Sequence, residues 1–394
     1  MGEGSPGAGA QATSPSLGPL VVLISTMAVV TSLFFTALAP LLPWFEEELG
    51  LSKAQAGLLV AMYPIGLSAA VLPVSLAASR VGVKRLALAS MVVLAATSVI
   101  FGLAQSYDAL LVSRLFQGAA AGVSISSGLA WIVTSAPRER RAELIGLTSG
   151  ARSAGQVLGP IVGATAVVVG RAGTFLVMAT AAVVVAVVGG RFQGPPVVVT
   201  QSLARLRHTA SLGRLAGGHW IIIIPGLLLG NLAVLAPLQL DRLGWGPTGV
   251  AATFLVAASI GVLARPWVGR WADRFGLLRA IGVLLLLAAP LTALTPWMVE
   301  AAALALCVVC ASTLYGVIIG PGMALVSHMY EEAGVAHAVG FAVMVLAGAA
   351  GLAIGAAVGG GIADAVGDKA AYGSMAVACV LTAVAIRSSR VVRT

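Results

Sequence analysis

One short loop occurs twice in this chain, 194 residues apart, and it fixes most of what the chain can fold into. Ser79-Arg80-Val81-Gly82-Val83-Lys84-Arg85 and Asp273-Arg274-Phe275-Gly276-Leu277-Leu278-Arg279 each stand between two long apolar segments. A basic turn with a central Gly, flanked by oily helices and repeated at half the chain length, implies a duplicated helical bundle. The apolar runs are continuous. A membrane barrel would alternate apolar and polar residues instead.

Composition sets the solvent. Of 394 residues, 59% are hydrophobic and 9% charged, whereas soluble domains carry about 25% charged residues. At roughly 20 residues per crossing, the chain has room for about twelve spans. Twelve apolar segments lie between residues 18 and 387. The expected fold is an all-α membrane protein of twelve transmembrane helices in two pseudo-symmetric six-helix halves. Residues 1–17, mostly Gly, Ser, Pro and Ala, predict a disordered cytoplasmic tail. The halves are expected at 18–190 and 216–387, joined by a cytoplasmic linker at 191–215, with a short tail at 388–394. The first apolar run lacks the basic lead of a signal peptide and is long enough to span, so it predicts a retained first helix.

The formal charge of +9 would suit nucleic-acid binding, but its distribution does not. With the N-terminus inside, sixteen Lys and Arg fall in inner loops and tail, and only Lys53, Arg171, Arg242 and Lys369 outside. That asymmetry orients a multi-pass protein in the cytoplasmic membrane. Cys307, Cys310 and Cys379 lie in apolar runs and predict packing rather than redox chemistry. The four His show no paired ligand spacing, so neither metal nor cofactor is expected. No nucleophile–base pair points to an enzyme.

Three arginines remain inside apolar segments: Arg114, Arg152 and Arg265. An Arg at membrane depth costs at least about 2.5 kcal/mol and is a functional candidate by default. Gln117 lies one turn from Arg114 and can share its hydrogen bonds. Arg152 suits either an anionic substrate group or snorkelling toward the cytoplasm, and Arg265, beside Pro266, reads as snorkelling. None of the fourteen acids falls mid-membrane. Glu300 and the Glu46–Glu48 group stand at the outer rim, as proton carriers or as solvated loop charges. In the fifth segment Gly155, Gly159 and Gly163 recur every fourth residue, and Gly351, Gly355 and Gly359 do so in the eleventh, displaced by 196. Such stripes let two backbones approach closely. Pro160 should kink the fifth helix, and Ala356 stands where its counterpart would be.

These residues carry a resemblance. Gly269-Arg-Trp-Ala-Asp273-Arg274-Phe-Gly276 resembles the loop signature of the major facilitator superfamily between the eighth and ninth helices, and Ser75–Arg85 resembles the same signature in the first half. Arg114-Leu-Phe-Gln117-Gly118 through Gly122 is similar to the fourth-helix motif. Gly155-Gln-Val-Leu-Gly159-Pro160 through Gly163-Ala164 is similar to the fifth-helix motif of its antiporters. The resemblance spans the chain from about residue 18 and points to the drug:proton antiporter branch.

It implies that Arg114 assists proton coupling, and that the loop residues Ser79, Arg80, Gly82, Asp273, Arg274 and Gly276 gate the inner side. Asp273 can cap exposed helix N–H groups or pair with an Arg. Ser79, where the family has Asp, brings no charge and predicts a weaker latch. The implied central cavity is lined by Thr31, Phe35, Arg114, Ser124, Asn231, Ser312 and Tyr315, near the midplane. So apolar a lining suits an amphiphilic solute better than a sugar. The expected function is proton-coupled export of a small amphiphilic compound by a monomer in the lipid bilayer. The alternatives are uptake of a small organic anion held by Arg114 and Arg152, and a receptor or scaffold that moves nothing.

Overall fold

The computed structural model describes residues 17–195, 213–332 and 337–388. Residues 1–16 of the expected tail, 196–212 of the linker and 389–394 lie outside the described residues. Twelve long helices are present among them: α1 (Leu17–Thr36), α2 (Lys53–Val81), α3 (Val83–Leu103), α4 (Tyr107–Ser135), α5 (Arg141–Val168), α6 (Arg171–Gly190), α7 (Gly213–Arg242), α8 (Gly246–Phe275), α9 (Leu277–Leu294), α10 (Ala301–Glu332), α11 (His337–Ala365) and α12 (Asp368–Ser388). A short helix, Leu42–Leu49, joins α1 to α2. Eleven spans are long and apolar enough to cross a membrane. The helix that falls short is α5, which carries Arg141, Glu143 and Arg152 among many Gly, Ser and Thr.

Local chemistry sets the helix ends. Ser52 and Gln55 close a capping box at the start of α2, and Ser106 accepts from the Ala109 N–H at the start of α4, satisfying N–H groups that no helical turn can reach. The echoed loops are matched at the backbone: Gly82 sits at φ 89°, ψ 143° and Gly276 at φ 91°, ψ 130°. Only Gly adopts that conformation without strain, so one helix ends and the next begins at a single residue.

The helices pair in the same way in each half: α1 with α5 and α7 with α11, α2 with α4 and α8 with α10, α3 with α6 and α9 with α12. The glycine stripes explain the tightest pairs. A Cβ on Gly155 or Gly159 would run into Val29, Ser32, Leu33 or Thr36 of α1, and one on Gly351 or Gly355 into the Ile223 or Leu227 backbone of α7. Large apolar side chains such as Val177, Leu263, Trp267, Leu306 and Leu381 are more than half exposed. A surface of that kind faces lipid rather than water.

We call the face holding the starts of α1 and α7 and the ends of α6 and α12 the terminal face, and the opposite one the far face. Two seams join the halves, α2 with α11 and α5 with α8. At the far end of the first seam a Cβ on Gly57 would meet the Ala356 carbonyl and Gly360, and one on Gly360 would meet Lys53 and Gly57. Beside this contact Asp368, the first residue of α12, takes Lys53 Nζ at 2.6 Å and Arg242 Nη2 at 2.7 Å. Lys53 belongs to the first half, Asp368 and Arg242 to the second. The far face is therefore locked by packing and by charge.

Candidate functional site

On the terminal side of α1, α4 and α5 lies a half-open cleft of about 520 Å³, its mouth included. Its walls are Ile24 and Ala28 of α1, Ser124, Ile125, Gly128 and Leu129 of α4, Ile145, Thr148, Ser149 and Arg152 of α5, and Phe341 of α11. Thus seven side chains or backbones in the wall are apolar, three are hydroxyls and one is a cation.

Helical spacing explains why Arg152 lies here. It precedes Gly155 by three residues, on the same face as the stripe that holds α1. Gly155, Gly159 and Gly163 bring α1 close, and one turn toward the terminal face the Arg152 side chain stands where α1 has drawn away. Arg152 makes no hydrogen bond or ion pair among the described residues. Thr148 and Ser149 donate to their own helix, to the Leu144 and Ile145 carbonyls at 2.9 and 2.8 Å. Ser124, buried in the α4 wall, makes no such bond among the described residues.

A second cluster lies deeper, around Tyr63. Arg114 is 2% exposed and reaches the end of α1. Its Nη1 donates to the Phe34 carbonyl at 2.8 Å and to Gln117 Oε1 at 3.2 Å, and Nη2 to the Phe35 carbonyl at 3.5 Å. These are carbonyls of the last turn of a helix, which lack helical donors and draw cations. The guanidinium also lies 4.8 Å from the Tyr63 ring centre, a cation–π distance. The Tyr63 hydroxyl donates to the Thr31 carbonyl at 2.8 Å, its ring lies 5.3 Å from Phe35, and the Thr31 hydroxyl donates back to Met27 and Ala28. Arg114 Nε and Gln117 Nε2 are buried without a hydrogen-bond partner among the described residues.

The structure thus brings Ser124 and Arg152 into one cleft and Thr31, Phe35, Arg114 and Gln117 into one cluster. The second-half candidates do not join them. Asn231 is buried against Gly359 of α11, its Oδ1 without a hydrogen-bond partner among the described residues. Ser312 donates to the Val309 carbonyl, and the Tyr315 hydroxyl shares a 2.6 Å bond with Thr292 of α9. Pro160 withholds an N–H from the Gln156 carbonyl, and Thr36 of α1 supplies the missing donor at 2.9 Å.

In the loops, Asp273, Arg274 and Gly276 are exposed, and Asp273 makes no hydrogen bond or ion pair among the described residues. Ser79 is half-buried and Arg80 exposed. The first-half loop works through a residue the sequence did not single out. Lys84 Nζ donates to the Gly190 carbonyl at 2.9 Å and to that of Phe192, capping the end of α6.

Arg265 is exposed and reaches toward α5. The lipid-facing stripe of α8 runs through Val256, Ile260, Leu263 and Trp267, each at least 43% exposed. At about 100° per residue, Arg265 projects from the opposite side. Its Nη1 lies 3.4 Å from Ser153 Oγ of α5.

Known proteins place this architecture. The curated relatives share short stretches only. The chain is 30% identical over 150 residues to a hexuronate transporter of Bacillus subtilis, covering 38% of this chain and 36% of the relative. It is 29% identical over 122 residues to the multidrug resistance protein MdtL of Shewanella, covering 31% of each. The chain thus spans about a third of the length of these relatives. A solved bacterial homologue of the human lysosomal transporter Spinster superposes with a TM-score of 0.78 at 14% identity, over 95% of this chain and 96% of that one. The nucleoside transporter NupG gives 0.73 at 14% identity, over 94% of this chain and 98% of that one. At such identities the likeness is one of fold. The profile of the Major Facilitator Superfamily matches residues 24–352, most of both halves, and the chain belongs to that superfamily of membrane transporters.

Proposed function

We propose that the chain exports a small amphiphilic organic compound by proton antiport, working as a monomer in the cytoplasmic membrane with both termini cytoplasmic. The carrying observation is the cleft: a mostly apolar wall with three hydroxyls and one cation that has no hydrogen-bond or ion-pair partner among the described residues, set on the terminal side while the far face is locked. With the terminal face cytoplasmic, as the positive loops imply, the cleft loads from inside. Release outside requires the α2–α11 seam and the Lys53–Asp368 bridge to part. Counter-moving protons have carboxylates to use at that lock, where Glu46 and Asp241 stand near Asp368, Lys53 and Arg242. The MdtL relative, named for multidrug resistance, supports the same direction.

The test is made in everted vesicles with an imposed pH gradient. Addition of a drug-like amphiphile should discharge the gradient in vesicles holding the parent chain and not in vesicles without it. A gradient untouched by every member of a varied amphiphile panel sinks antiport.

Arg152, without a hydrogen-bond or ion-pair partner among the described residues, favours a second reading, uptake of a small organic anion, which the hexuronate transporter among the relatives also supports. Arg114 is the weaker partner for such an anion, because Phe34, Phe35 and Gln117 already accept from its guanidinium. Counterflow of labelled carboxylates distinguishes the two. Accumulation driven inward by a proton gradient selects uptake.

A further inference from the structure

The lipid-facing stripe of α8 changes character where it reaches the terminal face. Val256, Ile260 and Leu263 are plain apolar side chains, and the stripe then continues through Trp267, Arg270, Trp271 and Arg274. At about 100° per residue, all four lie within about 60° of Trp267 around the helix. Trp267 is 71% exposed, Arg270 and Arg274 are exposed, and Trp271 is half-buried. The Arg270 guanidinium lies 5.1 Å from the Trp267 ring centre, a cation–π distance. Its Nε donates to the Pro266 carbonyl at 3.2 Å, and its two Nη groups have no partner among the described residues. The Trp271 ring lies 5.6 Å from that of Phe275. Arg274 makes no hydrogen bond or ion pair among the described residues. Asp273, the one acid of α8, stands about 60° beyond Arg270 and bonds to neither arginine.

The echoed end of α2 is not built this way. The positions matching Trp267, Arg270, Trp271 and Arg274, displaced by 194, are Pro73, Leu76, Ala77 and Arg80. They bring one cation and no ring. The end of α8 therefore differs from the general excess of positive charge on this face. Trp267 and Arg274 are about 10 Å apart along the helix, enough to cross from the acyl chains into a headgroup layer about 5–8 Å deep. A partner for this surface needs an anionic oxygen group and an apolar tail together. A soluble anion supplies only the first, and a neutral lipid only the second. We infer that the terminal end of α8 docks one anionic phospholipid, its phosphate held by Arg270 and Arg274 and the upper part of an acyl chain laid on Trp267 and Trp271. Guanidinium groups match phosphate oxygens in a forked pair, and indole rings seat at the level of the headgroups. The opposite side of the same helix forms the α5–α8 seam, so the lipid braces from outside a helix that joins the halves. The site takes lipid and not cargo, and it stands whichever solute is carried.

The test is made on the full chain in dodecyl maltoside, supplied with equal amounts of phosphatidylglycerol and phosphatidylcholine of matched acyl chains. Native mass spectrometry reads which lipid stays on the protein. Phosphatidylglycerol should be retained at least about tenfold over phosphatidylcholine, since each arginine beside an anionic headgroup contributes about fivefold. Arg270→Gln should lower that preference about fivefold with the melting temperature unchanged, and Arg270→Gln with Arg274→Gln should abolish it. Arg138→Gln removes one exposed charge from the same face away from α8 and should leave the preference intact. Millimolar inorganic phosphate should not displace the lipid. A second measurement needs no variant: phosphatidylglycerol brominated on its acyl chain should quench the tryptophan fluorescence of the parent more than brominated phosphatidylcholine does. Equal retention, equal quenching, or a preference that survives the double variant overturns the site. A preference that falls as far in Arg138→Gln overturns it in favour of the general field of the face. Displacement by phosphate overturns it in favour of a free anion.

Discussion

The two seams that join the halves are copies of one contact and are built in opposite ways. In the α2–α11 seam, Gly57 and Gly360 let the backbones touch, and the positions that match Arg265 and Arg152 hold Val71 and Gly348. In the α5–α8 seam the matching residues are Ala251, Ala164, Arg265 and Arg152. The first seam closes by packing and is reinforced by Lys53 and Asp368. The second carries two positive charges and lacks the Gly–Gly contact. One seam thus closes on touching backbones, and the other carries arginines at the matching positions. A transporter needs this inequality, because two equally sealed seams would leave no reason to change state when a ligand arrives.

The largest effect should come from filling the tight seam. Gly57→Ala or Gly360→Ala puts a methyl against partner backbone, which cannot rotate out of the way, and overpacking of this kind costs about 1–3 kcal/mol. Far-face cysteine labelling should rise and the melting temperature in detergent should fall. The opposite change at the matching position of the other seam, Ala164→Gly, should leave far-face labelling as it is. If both seams respond alike, the contrast drawn between them is wrong.

A smaller effect is expected from the charge lock. Lys53 and Asp368 are about one-fifth exposed in their side chains, so solvent screens the pair and about 1 kcal/mol is a fair scale for it. Asp368→Asn should raise far-face labelling about fivefold by that energy. Salt should raise labelling in the parent, since exposed charge is screened, and should do nothing further in the variant. A salt response that persists in Asp368→Asn would assign it to other charges.

What the sequence disclosed follows from which interactions are local. Apolar runs, the positive-φ glycines and the every-fourth-residue stripe are periodic signals within one helix or turn, and each maps onto the structure directly. Arg114 and Gln117 were legible as a pair because one turn separates them. Their acceptors were not, because the carbonyls of Phe34 and Phe35 become available only where α1 ends. Lys53 and Asp368 lie 315 residues apart, and each alone looks like an ordinary loop charge. Lys84 was hidden in the same way, since its partners end a helix over 100 residues later. The contact of Arg265 with Ser153 was hidden because the two lie 112 residues apart. The lipid-facing stripe through Val256, Ile260, Leu263 and Trp267 was the signal that placed it on the inner side.

The smallest effect separates α5 from α11, the two halves' versions of one striped helix. Pro160 frees the Gln156 carbonyl and Thr36 donates to it from α1; α11 has Ala356 and needs no such donor. Thr36→Val keeps the shape and removes the hydroxyl. Hydrogen bonds between membrane helices are worth about 0.6 kcal/mol on average and at most about 1.7, so the loss of stability in a denaturant titration should fall in that range. Pro160→Ala restores a backbone N–H within reach of Gln156. In that background Thr36→Val should be nearly neutral. The difference between the two measurements isolates the bond, because the residues act on one carbonyl. Equal losses in both backgrounds would mean that Thr36 matters only through its packing on Gly159, and that the kink in α5 is held by the stripe rather than by the hydroxyl.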